Sequence, residues 1–344
     1  MQEVVMLKRT RHKNIVRLYE YFETEKHILF VIELCAGGDL LNYVRRRRRL
    51  KEDVAKCLFK QIIESLAYCH SKNIVHRDIK LDNILLDASG RVKICDFGVG
   101  KIVKKGEKMV EQCGTPAYIA PEILKDEGYY GFAVDIWSAG VALYAMLYGT
   151  VPFKANNMSE LQKIIMKAKY TLKEDISIES REMLKGLLEK DPAKRLTIGA
   201  ILNHPWLVDA PEANDLELFT EQEVQYINTE FCYNKSSRYA RNKEMAGLAP
   251  IKGVDGLDPQ DFESLPSELD KDMFTEHMLD STQNSILKNA ETKSVILAPF
   301  NSTKSNLDEQ NEEGKVMELS DSIKELIEDR RIIKFGPRVR DIDK

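Results

Sequence analysis

His76-Arg77-Asp78-Ile79-Lys80-Leu81-Asp82-Asn83 is the most informative stretch of the chain, and Asp96-Phe97-Gly98 follows Asp78 by 18 residues. An aspartate, a lysine two residues on and an asparagine three further bring a proton acceptor, a cation and an amide into one short loop. A lone Asp-Phe-Gly carries almost no information. Here Gly114-Thr115-Pro116 and Ala120-Pro121-Glu122 come next, in order.

That ordered set resembles the signature of eukaryotic-type serine/threonine protein kinases. The resemblance covers about residues 1–207. At group level, Gly149-Thr150-Val151-Pro152-Phe153 and Asn203-His204-Pro205-Trp206-Leu207 are similar to the calmodulin-dependent and AMP-activated kinases. It implies an α+β, protein kinase-like fold with a mostly helical large lobe, an incomplete small β lobe and an irregular C-terminal tail. It also implies ATP and Mg²⁺ as cofactors and protein Ser/Thr hydroxyls as acceptors.

The resemblance assigns roles position by position. Asp78 is the carboxylate that orients the acceptor hydroxyl, Lys80 the cation that steadies the transferred group, and Thr115 the bridge between them. Asn83 and Asp96 are the metal-holding pair, and their oxygen donors suit Mg²⁺. Ile28–Asp39 resembles the hinge: Ile32 takes the gatekeeper place, Glu33 and Cys35 offer backbone groups to adenine, and Asp39 faces the ribose. Leu85 forms the floor under the base, although plain core packing explains Ile32 and Leu85 too. Glu122 is expected to pair with Arg195, and Asp135 to hold the backbone of the loop at 76–83. Glu3 stands where the family places its αC glutamate.

The chain also departs from the family. No glycine-rich loop and no lysine-bearing strand precede Glu3 in this sequence. Two readings follow: a normal kinase whose front is missing here, or a pseudokinase that binds partners, with a regulator competing for a related kinase's substrates as a remote third. An unfinished small lobe predicts exposed strand edges in 15–34 and poor solubility. Between Gly98 and Gly114 there is no Ser, Thr or Tyr, and Glu111 takes the place of a phosphorylatable threonine. Glu111 can act as a fixed negative charge held by Arg77 and Lys101, or remain a solvated glutamate. Asp39 and Asp82 match positions that meet an upstream basic residue in substrates; Ala145 stands where kinases demanding a second arginine are acidic.

Working outward, periodicity predicts a helix end at 1–9, strands at 15–22 and 27–34 with a turn at 24–26, and a helix through Val54–Cys69. Short strands at 84–86 and 92–95 flank Gly90 as a hairpin, and further helices fit 135–148, 158–168, 180–189 and 197–202. Capping boxes pair Thr220 with Glu223 and Ser322 with Glu325, predicting short helices near 221–231 and 323–330. Val295–Phe300 is an apolar island. The domains read as 1–34, a small-lobe remnant; 35–207, hinge and large lobe; and 208–344, an acidic, mostly disordered tail that docks on the kinase lobe or another protein.

Charge supports that division. The 344 residues carry a net −4, but 208–344 hold 17 Lys+Arg and 29 Asp+Glu, a net −12, leaving +8 in 1–207. Six scattered cysteines without CxxC pairs suggest reduced thiols in the cytoplasm or nucleus rather than a disulfide frame or zinc site. Cys95 reads as an alkylation target or a small core residue. Nothing predicts a specific nucleic acid or a membrane. The acidic stretch after Trp206 does not support a calmodulin target. Arg45–Arg49 reads as a solvated, self-repelling face, or as a site for phosphorylated partners, nucleic acid or a nuclear importer.

Overall fold

The computed structural model describes residues 2–23, 28–104, 106–125 and 127–229, and the backbone of a strand at Lys293–Ala298. The expected turn at 24–26, the box at Ser322 and Cys232 lie outside the described residues.

Helix α1 (Gln2–Arg9) has Glu3 in its first turn and Lys8 and Arg9 in its last, matching the helix dipole. It buries Val4, Met6 and Leu7. Strands β1 (Leu18–Glu23) and β2 (Ile28–Glu33) pair antiparallel, with Tyr21 opposite Phe30. The far edge of β2 pairs in parallel with Lys293–Ala298, so the open edge expected there is covered. The apolar island is thus a strand, starting two residues earlier than its apolar run. Asn14 stitches this small region to the large lobe: its side-chain amide donates to Gln61 Oε1 and to the Val92 carbonyl, both at 2.9 Å.

The large lobe begins with β3 (Gly38–Asp39), α2 (Leu40–Arg47) and α3 (Glu52–Ser71). Strand β4 (Ile74–Val75) precedes the hairpin of β5 (Ile84–Leu86) and β6 (Val92–Ile94), and β7 (Lys101–Ile102) pairs with β4. Gly90 has φ +78° in the hairpin turn, where glycine carries no Cβ penalty. Helix α4 (Gly131–Tyr148) is apolar on nearly every side because every side is covered. It is long and apolar enough to cross a membrane, yet it lies inside the core, packed on α3. It starts four residues before the expected 135 because Gly131 fits against Val75 and Met109, where a Cβ would clash. Helices α5 (Met158–Lys167), α6 (Ile178–Leu187), α7 (Ile198–Leu202) and α8 (Pro205–Val208) complete the lobe. Asn157, Ser177 and Thr197 cap α5, α6 and α7 with side-chain oxygens.

The start of the tail carries the short helix expected near 221–231. Residues 208–229 fold against the large lobe through a short 3₁₀ turn, Ala213–Asp215, and a helix α9 at 221–229. Both hydrogen bonds of the Thr220–Glu223 capping box form. The arginine run is not a free face either. Arg46 and Arg47 bind Glu223, and Arg49 binds Asp175.

Candidate active site

The loop after β4 is held from below by one buried carboxylate. Asp135 of α4 accepts the Arg77 N–H at 2.8 Å and the His76 N–H at 3.0 Å. It also pairs with His70 Nε2 at 2.8 Å, a partner no sequence motif announced. These bonds support Arg77 in the left-handed region, φ +68°, which costs a side-chain-bearing residue about 1–3 kcal/mol. Gly114 comes so close that a Cβ there would lie 2.8 Å from the Arg77 carbonyl oxygen.

Asp78 is saturated with donors. Thr115 gives Oδ1 its backbone N–H at 3.0 Å and its hydroxyl at 2.8 Å. Lys80 Nζ reaches Oδ2 at 2.8 Å and Asn83 Nδ2 reaches it at 3.0 Å. Lys80 also donates to Thr115 Oγ1 at 2.9 Å. Burial alone would raise the Asp78 carboxyl, but the Lys80 charge and the hydrogen bonds from Lys80 and Thr115 hold it below its ordinary range. Burial likewise opposes the Lys80 charge, but Asp78, with Asp82 and Asp96 further off, lifts the ammonium above its ordinary value.

Asn83 spends its amide nitrogen on Asp78, with a second bond to the Asp78 carbonyl at 2.9 Å, and its Oδ1 takes part in neither bond. Cys95 N–H donates to the Asn83 carbonyl at 3.0 Å, so the residue before Asp96 is tied to Asn83. His76 adds a second tie, through Nε2 to the Cys95 carbonyl at 3.0 Å. Asp96 has φ +60° and accepts the Gly98 N–H at 3.1 Å. Phe97 is buried beside His76, with ring centroids 4.8 Å apart. Asp78, Lys80, Asn83 and Thr115 thus converge directly, with Asp96 held alongside.

No group of three or more His, Cys, Asp or Glu side chains able to hold a metal occurs among the described residues. The Asn83 side-chain oxygen and the Asp96 carboxylate still have the chemistry that suits Mg²⁺ with a nucleotide. Such sites use one or two protein oxygens, with phosphate and water oxygens supplying the rest.

Ile32, Cys35, Leu85, Cys95 and Val16 gather into one apolar cluster next to the hinge. Burial pushes the Cys35 thiol up to about 12 and the Cys95 thiol well above its ordinary value. Cys95 is half-buried, and the burial of its thiol disfavours the thiolate that alkylation needs. The Glu33 side chain turns away to Lys93 of β6, at 2.6 Å, a tie the sequence did not suggest. Asp39 caps α2, giving one oxygen to the Asn42 N–H and the other to its side-chain amide. Burial raises the Asp82 carboxyl and the nearby Asp39 adds to it, while Lys80 opposes.

The supporting pairs fall into place. Arg195 grips Glu122 through two bonds of 2.6 and 2.9 Å and donates to the Ala133 carbonyl at 2.7 Å. Glu111 lies 3.5 Å from Arg77 Nη1 and 3.4 Å from Lys101 Nζ. The Arg77 contact is an ion pair without a hydrogen bond, for that buried Nη1 has no hydrogen-bond partner. Glu3 sits in the first turn of α1, within electrostatic reach of Cys95.

The family model for the protein kinase domain matches residues 1–207. CBL-interacting protein kinase 31 of Oryza sativa subsp. japonica is 41% identical over 208 residues, covering 60% of this chain and 46% of that protein. Sperm motility kinase 2B of Mus musculus is 40% identical over 209 residues, covering 61% and 43%. Sperm motility kinase 3A of the same species is 39% identical, covering 61% and 42%. The chain spans less than half the length of these relatives.

Proposed function

We propose, from the premise that this chain belongs to the protein kinase family over residues 1–207, that it transfers the γ-phosphoryl group of ATP to serine and threonine hydroxyls of proteins. One observation carries the reading: Lys80, Asn83 and Thr115 all converge on the Asp78 carboxylate. Asp78 orients the acceptor hydroxyl and takes its proton. Its lowered pKa makes it a weak base, which suffices when the transition state is loose and the proton leaves late. Because its oxygens are fully engaged, the acceptor hydroxyl binds as Lys80 swings from Asp78 toward the phosphoryl oxygens. Asn83 and Asp96 hold Mg²⁺, which neutralises phosphate charge when bound. Ile32, Cys35, Leu85 and the backbone of Glu33 receive adenine, and Asp39 faces the ribose.

Regulation and substrate choice extend the reading. Glu111 supplies a permanent charge to Arg77 and Lys101, so that no phosphate is needed there. The Asp39–Asp82 pair favours one basic residue upstream of the phosphorylated hydroxyl. The domains divide into the small-lobe remnant 1–34, the hinge and large lobe 35–207 and the acidic tail 208–344, which docks on the lobe or a partner. The protein works in the cytoplasm or nucleus.

A second reading is a binding module without catalysis. The test incubates the full chain with Mg-ATP labelled at the γ-phosphate and a basic Ser/Thr peptide array, with D78N and D96N as controls. Incorporation that both substitutions abolish supports the kinase reading. No incorporation, with the peptides still retained by the chain, supports the binding module.

A further inference from the structure

The back of the hinge carries a surface already seated with a segment of the tail. Phe219 stands edge-on to Tyr43, centroids 6.0 Å apart at 83°, and its tip reaches Gly37. A Cβ on Gly37 would meet Phe219 Cζ at 2.6 Å, Leu86 Cβ at 2.8 Å and the Asp87 carbonyl at 2.9 Å. The hinge backbone is thus pinched between the tail and the β5–β6 hairpin. One turn of α2 further on, recognition becomes polar. The Leu218 carbonyl accepts the Tyr43 hydroxyl at 2.6 Å and Arg47 Nη2 at 2.9 Å. The Glu223 carboxylate then accepts Arg47 through two bonds of 3.1 and 2.5 Å, and Arg46 Nε at 3.1 Å. Arg47 is stacked 3.7 Å over the Tyr43 ring, so its fork is pre-aimed.

We infer that Tyr43, Gly37 and the Arg46–Arg47 fork form a docking surface for a Leu-Phe pair followed, four residues after the Phe, by a helix-borne carboxylate. Residues 216–224 of this chain are its occupant. Charge agrees: 208–344 carry a net −12 against +8 in 1–207. Two independent contacts, an aromatic tip and a forked carboxylate, must coincide, which makes the surface selective for this pattern over acidic peptides in general. Since Gly37 lies under Phe219, occupancy stiffens the hinge, and an external helix with the same pattern would compete for the same place. This rests on the tail docking proposed above and not on catalysis.

The test is amide hydrogen exchange on the full chain. E223Q keeps the acceptor that the capping box needs but removes the charge that the fork grips. It should speed exchange about tenfold in 216–229 and severalfold in the hinge amides 36–42, with residues 76–83 unchanged. Unchanged exchange in 216–229 overturns the proposal, as does an equal rise everywhere. In F219A/E223Q, an added peptide of residues 214–229 should restore hinge protection in trans. A peptide carrying both substitutions should not; if it restores protection equally, the claimed recognition is wrong. Exchange does not depend on phosphoryl transfer, so this proposal and the kinase reading can fail separately.

Discussion

Thr115 donates both its backbone N–H and its hydroxyl to one oxygen of Asp78, at 3.0 and 2.8 Å. The Gly114-Thr115-Pro116 turn therefore meets the loop at 76–83 at the Asp78 carboxylate itself. T115A keeps the N–H and loses the hydroxyl, while T115S keeps both. A hydrogen bond to a charged group contributes about 1.5–3 kcal/mol, so T115A should lower kcat about 10–100-fold with T115S near wild type. Steady-state peptide phosphorylation by folded variants is the measurement, and equal rates for T115A and wild type would refute the bridging role.

The Asp78–Lys80 pair predicts a pH window. A depressed carboxyl contributes stability above its ordinary value and loses it as pH falls through its folded pKa. A raised ammonium contributes below its ordinary value and loses it as pH rises through its folded pKa. Both shifts point the same way for one contact. The excess stability of wild type over D78N should be flat from about pH 5 to about pH 9 and shrink below about pH 4. Thermal melts of both proteins across pH test this; an excess that grows on acidification would contradict it.

Glu122 and Arg195 form a buried fork, with side chains 8% and 1% exposed. Removing one partner leaves the other charged and dry. E122A should cost about 3–5 kcal/mol in urea unfolding, whereas E122L/R195M should cost less than the sum of the two single changes. Additive losses would mean that the pair is not coupled.

Much of the site was legible because its chemistry is written in short spacings. Asp78, Lys80 and Asn83 sit within six residues, and Asp135 and Arg195 occupy recognisable runs. The helices were legible where apolar periodicity coincided with a cap, as at Thr197. The start of α4 was not, because Tyr130 offers no side-chain cap and Gly131 enters the helix only for lack of a Cβ. The tail contact was hidden for a different reason. Arg47 and Glu223 lie 176 residues apart, and neither an arginine run nor an acidic tail names its partner. His70 on Asp135 and Lys93 on Glu33 were missed on the same ground: a single charged residue in an ordinary helix or strand has no spacing to betray it.

Glu111 gives the sharpest test of how the stretch between Gly98 and Gly114 is ordered. Its carboxyl is 55% exposed and lies between Arg77 and Lys101. A backbone hydrogen bond lowers its pKa, with the Lys101 and Arg77 charges adding to this, so it is ionised at neutral pH. Exposed ion pairs contribute only about 0.2–1 kcal/mol, which limits the loss in E111A to about fivefold at low salt. Screening makes the effect salt-dependent: raising the ionic strength to about 0.5 M should bring wild type down toward E111A. E111T should match E111A until it is phosphorylated, and should then exceed wild type, because a phosphate carries about 1.5–2 charges where the carboxylate carries one. Peptide phosphorylation rates at two salt concentrations decide the matter. E111A at full activity in low salt would make Glu111 an ordinary surface residue and leave the Arg77 pocket to be filled by something else.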